Sequence, residues 1–233
     1  MQTSDHVEEL TVEAVVFDFD GLICDTESAQ ERAVRSVFAD HGVPFPSDAW
    51  SSIVGTAADD DVWVPWLNEA IGDVCNRDKV MEDFSERNAV EVAKLQPNDG
   101  VILLLAGLAK AEIPIAIASS SPASWVRPLT RRLGLERQFA HIICREHAPK
   151  AKPAPDLYLE ALTRLGIDHK RAHHCVALED SRNGSLAAKA AGMICIAVPG
   201  PVTAHQDFGH VDHVISSLAL LSVGAHRQVR ISK

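Results

Sequence analysis

The sequence predicts an α/β protein with a mostly parallel sheet and helices on both faces. Three observations predict it. Short apolar, β-branched runs alternate with helix-like stretches along most of the 233 residues. One long segment, from about Ser28 to Leu95, breaks that alternation and reads as helical throughout. Carboxylates, serines and a lysine gather at the ends of the apolar runs, which is where open α/β sheets bind ligands.

The elements follow in order. Met1 to Thr11 is polar and acidic, so it is not read as a signal peptide. Ala14 to Phe17 reads as a buried strand. The helical segment then comprises Ala29 to His41, Ala57 to Ala70 and Lys79 to Lys94, separated by breakers at Gly42 to Pro46, Gly55 and Gly72. A segment that leaves just after the first strand sits over the strand ends and can act as a lid. The expected division is therefore a core of residues 1–27 and 96–233 with a helical cap of residues 28–95. Beyond it, strands are expected at Ile113 to Ala118 (despite Pro114), His141 to Cys144, Cys175 to Leu178, Met193 to Val198 and His213 to Ile215. Helices are expected at Val101 to Ala111, Ser124 to Leu133, Asp156 to Leu165 and Arg182 to Ala191.

Composition narrows the function. Hydrophobic residues make up 46% and charged residues 23%, as in ordinary soluble globular proteins. No apolar run approaches the ~20 residues of a membrane span. The net charge is −10, and basic residues are scattered apart from Arg127, Arg131 and Arg132. Nucleic-acid binding needs a basic face, which is lacking. The five cysteines are odd in number and have no C-x-x-C spacing, which fits reduced thiols in a cytoplasmic protein. The eleven histidines are read as surface or loop residues. A monomer or weak homodimer is expected.

Four clusters carry chemistry. Asp18 and Asp20 end the first strand; at i and i+2 of an extended chain their side chains point the same way, and Gly21 then permits a sharp turn. D-x-D-G alone also occurs in calcium loops, although the closing Glu of a twelve-residue calcium loop is missing here. Glu179-Asp180 ends a second apolar run. Four carboxylates on one rim suit Mg²⁺, a hard cation that prefers oxygen ligands. Equally, Glu179-Asp180 alone would serve as a cap for the helix starting near Arg182. Ser119-Ser120-Ser121 ends a third run, where a hydroxyl and backbone N–H groups can hold a phosphoryl oxygen. Lys152 lies in Ala151-Lys152-Pro153-Ala154-Pro155-Asp156, with prolines fixing the backbone around it. A lysine so placed can orient a nucleophile and neutralise transferring phosphoryl charge; a lone loop lysine would otherwise be merely solvated.

Asp, Ser, Lys and Glu-Asp appear in this order, each at a strand end or helix start. As an ordered set the chain resembles the haloacid dehalogenase-like (HAD) phosphohydrolases, in the subgroup of β-phosphoglucomutase and small sugar-phosphate phosphatases. The matching runs are FDFDG (Phe17 to Gly21), DTE (Asp25 to Glu27), ASSS (Ala118 to Ser121), KPAPD (Lys152 to Asp156), LEDSRNG (Leu178 to Gly184) and AGM (Ala191 to Met193), covering roughly residues 12 to 200. The resemblance implies a Rossmann-like core with a small helical cap. It implies Asp18 as nucleophile, forming a phosphoaspartate, and Asp20 as general acid and base. Mg²⁺ would be held by Asp18, the Asp20 carbonyl and Asp180, with Glu179 as an added or more distant ligand. Ser119 and Lys152 would hold phosphoryl oxygens, helped by backbone N–H groups near Gly21 and Ser120.

Asp20 separates the chain from dehalogenase and phosphonate-cleaving relatives, which lack an acid there, and so points to phosphate esters. The alternative of a phosphomutase is weakened twice. β-Phosphoglucomutases carry a His where this chain has Gln30, and an Arg in the lid where Thr56 to Asp61 supplies none. Water is therefore the expected acceptor and a small phosphorylated metabolite, such as a sugar phosphate, the expected substrate. Cap candidates for contacting it are Glu27, Gln30 and Arg87. Trp63 and Trp66, three apart, share a helix face and are expected to pack the cap's own core. A catalytically silent binding protein on the same fold is the reading opposed by the intact set.

Overall fold

The computed structural model describes residues 7–53 and 61–232. Its main sheet is six-stranded and wholly parallel, in the order β4-β3-β2-β5-β6-β7. The strands are β2 (Ala14–Phe17), β3 (Ile115–Ala118), β4 (His141–Ile143), β5 (Cys175–Glu179), β6 (Ile194–Ala197) and β7 (His213–Val214). Central β2, β3 and β5 are buried at every position. That is why they read as continuous apolar runs rather than alternations. Pro114 precedes β3 instead of opening it, since proline has no ladder N–H to give.

Helices cover both faces. Val15 and Phe17 point into a layer with Leu104, Leu105 and Leu108 of α5 (Val101–Lys110) and Val126 and Leu129 of α6 (Ala123–Arg132). Ala14 and Val16 point the other way, towards Leu157, Ala161 and Leu162 of α7 (Asp156–Arg164) and Ala187 and Ala188 of α8 (Arg182–Ala190). Small residues dominate that second layer and allow close helix–sheet approach. From β2 the chain builds outwards through β3 and β4, then returns to β5 on the other side. The crevice at this reversal, between the ends of β2 and β5, is where such sheets bind ligands.

Among the described residues, four helices lie between β2 and α5: α1 (Thr26–Asp40), α2 (Ser47–Ile53), α3 (Val64–Ile71) and α4 (Arg77–Ala93). They share a separate apolar cluster that includes Val34, Phe38, Trp50, Trp63, Leu67 and Phe84. Helix α1 starts earlier than expected because Asp25 Oδ1 accepts from Ser28 N at 3.0 Å and caps it. Helix α2 was not expected: Ser-Asp-Ala-Trp-Ser-Ser-Ile is weakly helix-forming, and buried Trp50 anchors it by packing. The helix expected over Ala57 to Ala70 lies partly outside the described residues; of its described part Asp61 to Trp63 form a turn, and α3 starts only at Val64 and ends at Gly72, whose φ is +70°. The outgoing and returning connections meet at Asn98. Its Nδ2 donates to Gly21 O (2.8 Å) and Leu22 O (2.9 Å), and its backbone N–H donates to Ile23 O (2.8 Å).

A second sheet corrects the sequence reading, which assigned no strand to either end of the chain. β1 (Val7–Thr11), β9 (Gln228–Ser232) and β8 (Leu221–Val223) form an antiparallel ribbon in the order β1-β9-β8. β1 alternates between exposed and half-buried residues, so no apolar run marks it. Its pairing with β9, Val7 opposite Ser232 and Thr11 opposite Gln228, joins segments more than two hundred residues apart. Among the described residues no helix is long and apolar enough to cross a membrane.

Candidate active site

The ends of β2, β3 and β5 bring the four clusters together. Asp18 follows β2, and its N–H donates to Leu178 O of β5 at 2.9 Å, so the backbone ladder itself sets Asp18 beside Glu179 and Asp180. Ligand oxygens of Asp18, Glu179 and Asp180 lie within 4.8 Å of one another, and all three residues are buried. Lys152 enters from the loop before α7. Its Nζ donates to Asp18 Oδ1 and, at 2.6 Å, to Glu179 Oε1. The side chain of Lys152 is 3% exposed, so this ammonium is a built component of the site rather than a solvated loop lysine.

Glu179 is the most heavily bonded carboxylate. Oε1 also accepts from Tyr158 OH at 2.7 Å, and Oε2 accepts from Asp180 N (3.1 Å), Ser181 N and Ser181 Oγ (both 3.3 Å). A side chain on Gly184 would overlap Glu179, so the glycine in LEDSRNG makes room for it. The cap of α8 is neither Glu179 nor Asp180 but Ser181, whose Oγ accepts from Gly184 N at 3.2 Å. The sequence reading of Glu179-Asp180 as a simple helix cap is corrected accordingly.

Asp20 points elsewhere. Oδ1 accepts from Thr26 Oγ1 (2.9 Å) and Trp125 Nε1 (2.8 Å); Oδ2 accepts from Ser121 Oγ (2.7 Å) and Ser119 Oγ (3.2 Å). Four donors thus fix one carboxylate. Ser119, expected on a phosphoryl oxygen, here bonds Asp20 and accepts from Ser121 N at 3.0 Å. Ser120 Oγ accepts from Lys152 N at 3.3 Å, linking the serine run to the lysine loop. The Gly21 N–H, expected to face phosphate, donates to Cys24 O (3.0 Å) and Thr26 Oγ1 (3.2 Å), because the left-handed turn at Gly21 folds it back on its own loop.

The electrostatics follow from burial. Burial pushes the Asp18 carboxyl well above its ordinary range, with Glu179 adding to the rise and Lys152 opposing it. Burial and the charges of Asp18 and Glu179 do the same to Asp180. Burial alone would lower Lys152, but Asp18 and Glu179 outweigh it and hold the ammonium charged. Burial and Glu179 likewise push the Tyr158 hydroxyl well up. Three clustered carboxylates against one ammonium leave excess negative charge, and every donor is a hard oxygen. The cluster therefore fits a divalent cation and can bind a metal.

Of the cap candidates, Glu27 lines the cleft above Asp18 and Asp180. Gln30 is half-buried one turn further along α1. Arg87 is corrected: it donates to Ser36 and Asp40 on α1, so its charge is spent joining α4 to α1. Trp63 is buried against Phe38 and Phe84, and Trp66 packs on the same cluster, as expected. Thr56 to Asp60, read for a missing arginine, lie outside the described residues. Sequence reasoning missed Thr26, Ser121, Trp125 and Tyr158. Thr26 and Ser121 stand inside quoted motifs; Tyr158, the single tyrosine of the chain, lies two residues after the KPAPD run.

The chain that builds this parallel, doubly wound sheet, with the constellation at its reversal, matches the family model for haloacid dehalogenase-like hydrolases over residues 12–192 and belongs to that family. YhcW of Bacillus subtilis is 36% identical over 208 residues, covering 89% of this chain and 93% of that one. Hexitol phosphatase B of Escherichia coli is 32% identical over 217 residues, covering 90% and 94%. CbbY of Rhodobacter sphaeroides, solved in complex with phosphate, superposes with a TM-score of 0.72 at 30% identity, covering 89% and 95%.

Proposed function

We propose that this chain is a Mg²⁺-dependent phosphatase that hydrolyses a small phosphorylated metabolite, a sugar phosphate by class, through a phosphoaspartate on Asp18. The observation that carries the reading is the ammonium of Lys152 bonded to both Asp18 and Glu179, with Asp180 alongside. That arrangement keeps one Asp18 oxygen fixed and leaves the other to act as nucleophile. The relatives named as phosphatases support it.

In the proposed reaction an Asp18 oxygen attacks phosphorus and the phosphorus–ester oxygen bond breaks. Asp20 gives the leaving oxygen its proton. Asp20 then takes a proton from water, which attacks the phosphoaspartate, frees inorganic phosphate and restores Asp18. Lys152 orients Asp18 and offsets phosphoryl charge. Asp18, Asp180 and the Asp20 carbonyl would hold Mg²⁺, with Glu179 beside them; bound there, the ion would supply further neutralisation of phosphoryl oxygens. Ser119, Ser120 and the Gly21 loop would contact phosphate. Residues 28–95 would form the lid over this cleft and residues 1–27 and 96–233 the core. Water is the acceptor, since position 30 is glutamine. The test is phosphate release from p-nitrophenyl phosphate with and without Mg²⁺, in wild type and Asp18→Asn. An inert wild type, or an undiminished Asp18→Asn, sinks the proposal; capture of BeF₃⁻ on Asp18 probes the nucleophile directly.

A further inference from the structure

We infer that the cleft selects monophosphates whose remainder is uncharged and rich in hydroxyl groups, and discriminates against substrates bearing a carboxylate or a second phosphate. The inference rests on the phosphatase reading and names the substrate class of that same site.

The first ground is the lining. Among the described residues, the cleft is lined by four carboxylates (Asp18, Asp20, Glu27 and Asp180), four serines and a single cation, Lys152. That cation is already bonded to Asp18 and Glu179. One phosphate and one divalent cation would use what compensation the floor offers. Glu27, which adds to the negative field at Asp180, lines the same cleft from α1. Among the described residues no apolar side chain lines the cleft. The serine hydroxyls, which can both donate and accept, match a ligand that itself carries hydroxyl groups.

The second ground is what the helical segment lacks. Gripping a second anion calls for a free arginine or lysine. Each of its arginines is paired with an acid of the same segment: Arg32 with Glu91 at 2.6 Å, Arg35 with Glu31 at 2.7 Å, Arg77 with Asp61, and Arg87 with Asp40. Lys94 pairs with Glu91 at 2.5 Å. Lys79 is exposed, in the first turn of α4. Between Ser28 and Leu95 the sequence holds thirteen acidic residues against six basic ones. A remote anion would therefore approach a segment of its own sign, and like charges disfavour binding.

The experiment compares kcat/KM of the Mg²⁺-loaded full chain on matched pairs. Glucose 6-phosphate is set against 6-phosphogluconate, glycerol 3-phosphate against 3-phosphoglycerate, and fructose 6-phosphate against fructose 1,6-bisphosphate. The expected result is at least a tenfold advantage for the uncharged member of each pair at 50 mM NaCl. The advantage should shrink at 500 mM NaCl, where exposed charges are screened. Glu27→Gln should narrow it at low salt, whatever that variant's absolute rate. An anionic twin cleaved as well as its neutral partner, or a ratio indifferent to both salt and Glu27→Gln, overturns the inference while leaving the phosphatase reading intact. Release of no phosphate from any pair or from p-nitrophenyl phosphate overturns the phosphatase reading itself.

Discussion

Gly21 faces Asp180 so closely that a Cβ built on the glycine would overlap the carboxylate Oδ2. The backbone at Gly21 is also left-handed, with φ +79°. The turn that follows the nucleophile and the carboxylate at the end of β5 are therefore fitted to each other. Gly21→Ala is expected to cost roughly 1–3 kcal/mol of stability and to lower kcat by about a hundredfold or more, a loss of about 2.7 kcal/mol in the transition state. Urea denaturation and steady-state kinetics at saturating Mg²⁺ check both. Retention of full activity would show that Asp180 can move without consequence.

Tyr158 OH shares Glu179 Oε1 with Lys152. In Tyr158→Phe that oxygen keeps only the lysine, and the ammonium is free to settle closer to Glu179 and away from Asp18. The variant should lose about 1 kcal/mol of stability and about tenfold in kcat, with KM within twofold. A change confined to the melting temperature would make Tyr158 a packing residue only.

Trp125 Nε1 is one of four donors on Asp20. Trp125→Phe keeps the ring and removes the N–H. The rotamer of Asp20 is then less well fixed, so kcat for an alkyl phosphate should fall about fivefold to tenfold, equivalent to ~1–1.4 kcal/mol. p-Nitrophenyl phosphate, whose leaving group needs less protonation, should be affected less while phosphoenzyme formation limits the rate. Equal losses on both substrates would count against this role.

Without Mg²⁺, burial raises the carboxyl groups of Asp18 and Asp180 above their ordinary range. The unfolded chain titrates them near ~3.9. A raised folded value means that their contribution to stability is present below the unfolded pKa and is lost as pH rises through the folded one. Chelated protein should therefore lose stability from about pH 4 upwards on account of these two groups. Mg²⁺ competes with their protons, so it should add more stability at pH 8 than at pH 5. Urea titrations in EDTA and in Mg²⁺ at both pH values measure this, and an increment independent of pH would contradict it.

The legible part of the site consists of groups that the sequence marks by chemistry and position at once. Asp18, Lys152 and Asp180 each end a buried apolar run or sit among prolines, and the structure gathers them as their order suggested. Trp125 and Tyr158 escaped because each reads as a helix apolar position; only the polar tip of the ring meets the site, across 105 and 21 residues of chain respectively. Ser119 and Gly21 were legible as members of the site but not in their partners, since which oxygen a hydroxyl or N–H faces depends on rotamers and turn geometry. The fold divides in the same way. β2, β3 and β5 announce themselves because both faces are buried, whereas β1 and β9 carry half-exposed patterns that gain meaning only from each other. Helix α2 was hidden because it is only two turns long and is held by Trp50 and Ile53 rather than by a long periodic stripe.

Asn98 has a mechanical consequence. It ties the chain leaving β2 to the chain returning towards α5 through three hydrogen bonds, to Gly21, Leu22 and Ile23. The helices between them are also tied to the core by Arg132 of α6, whose guanidinium donates to Val92 O (2.9 Å), Leu95 O (3.1 Å) and Ala93 O (3.2 Å). The two stems are thereby held side by side next to Gly21. The stems thus meet at the same turn that borders Asp180, so a change at Asn98 is felt next to the carboxylates.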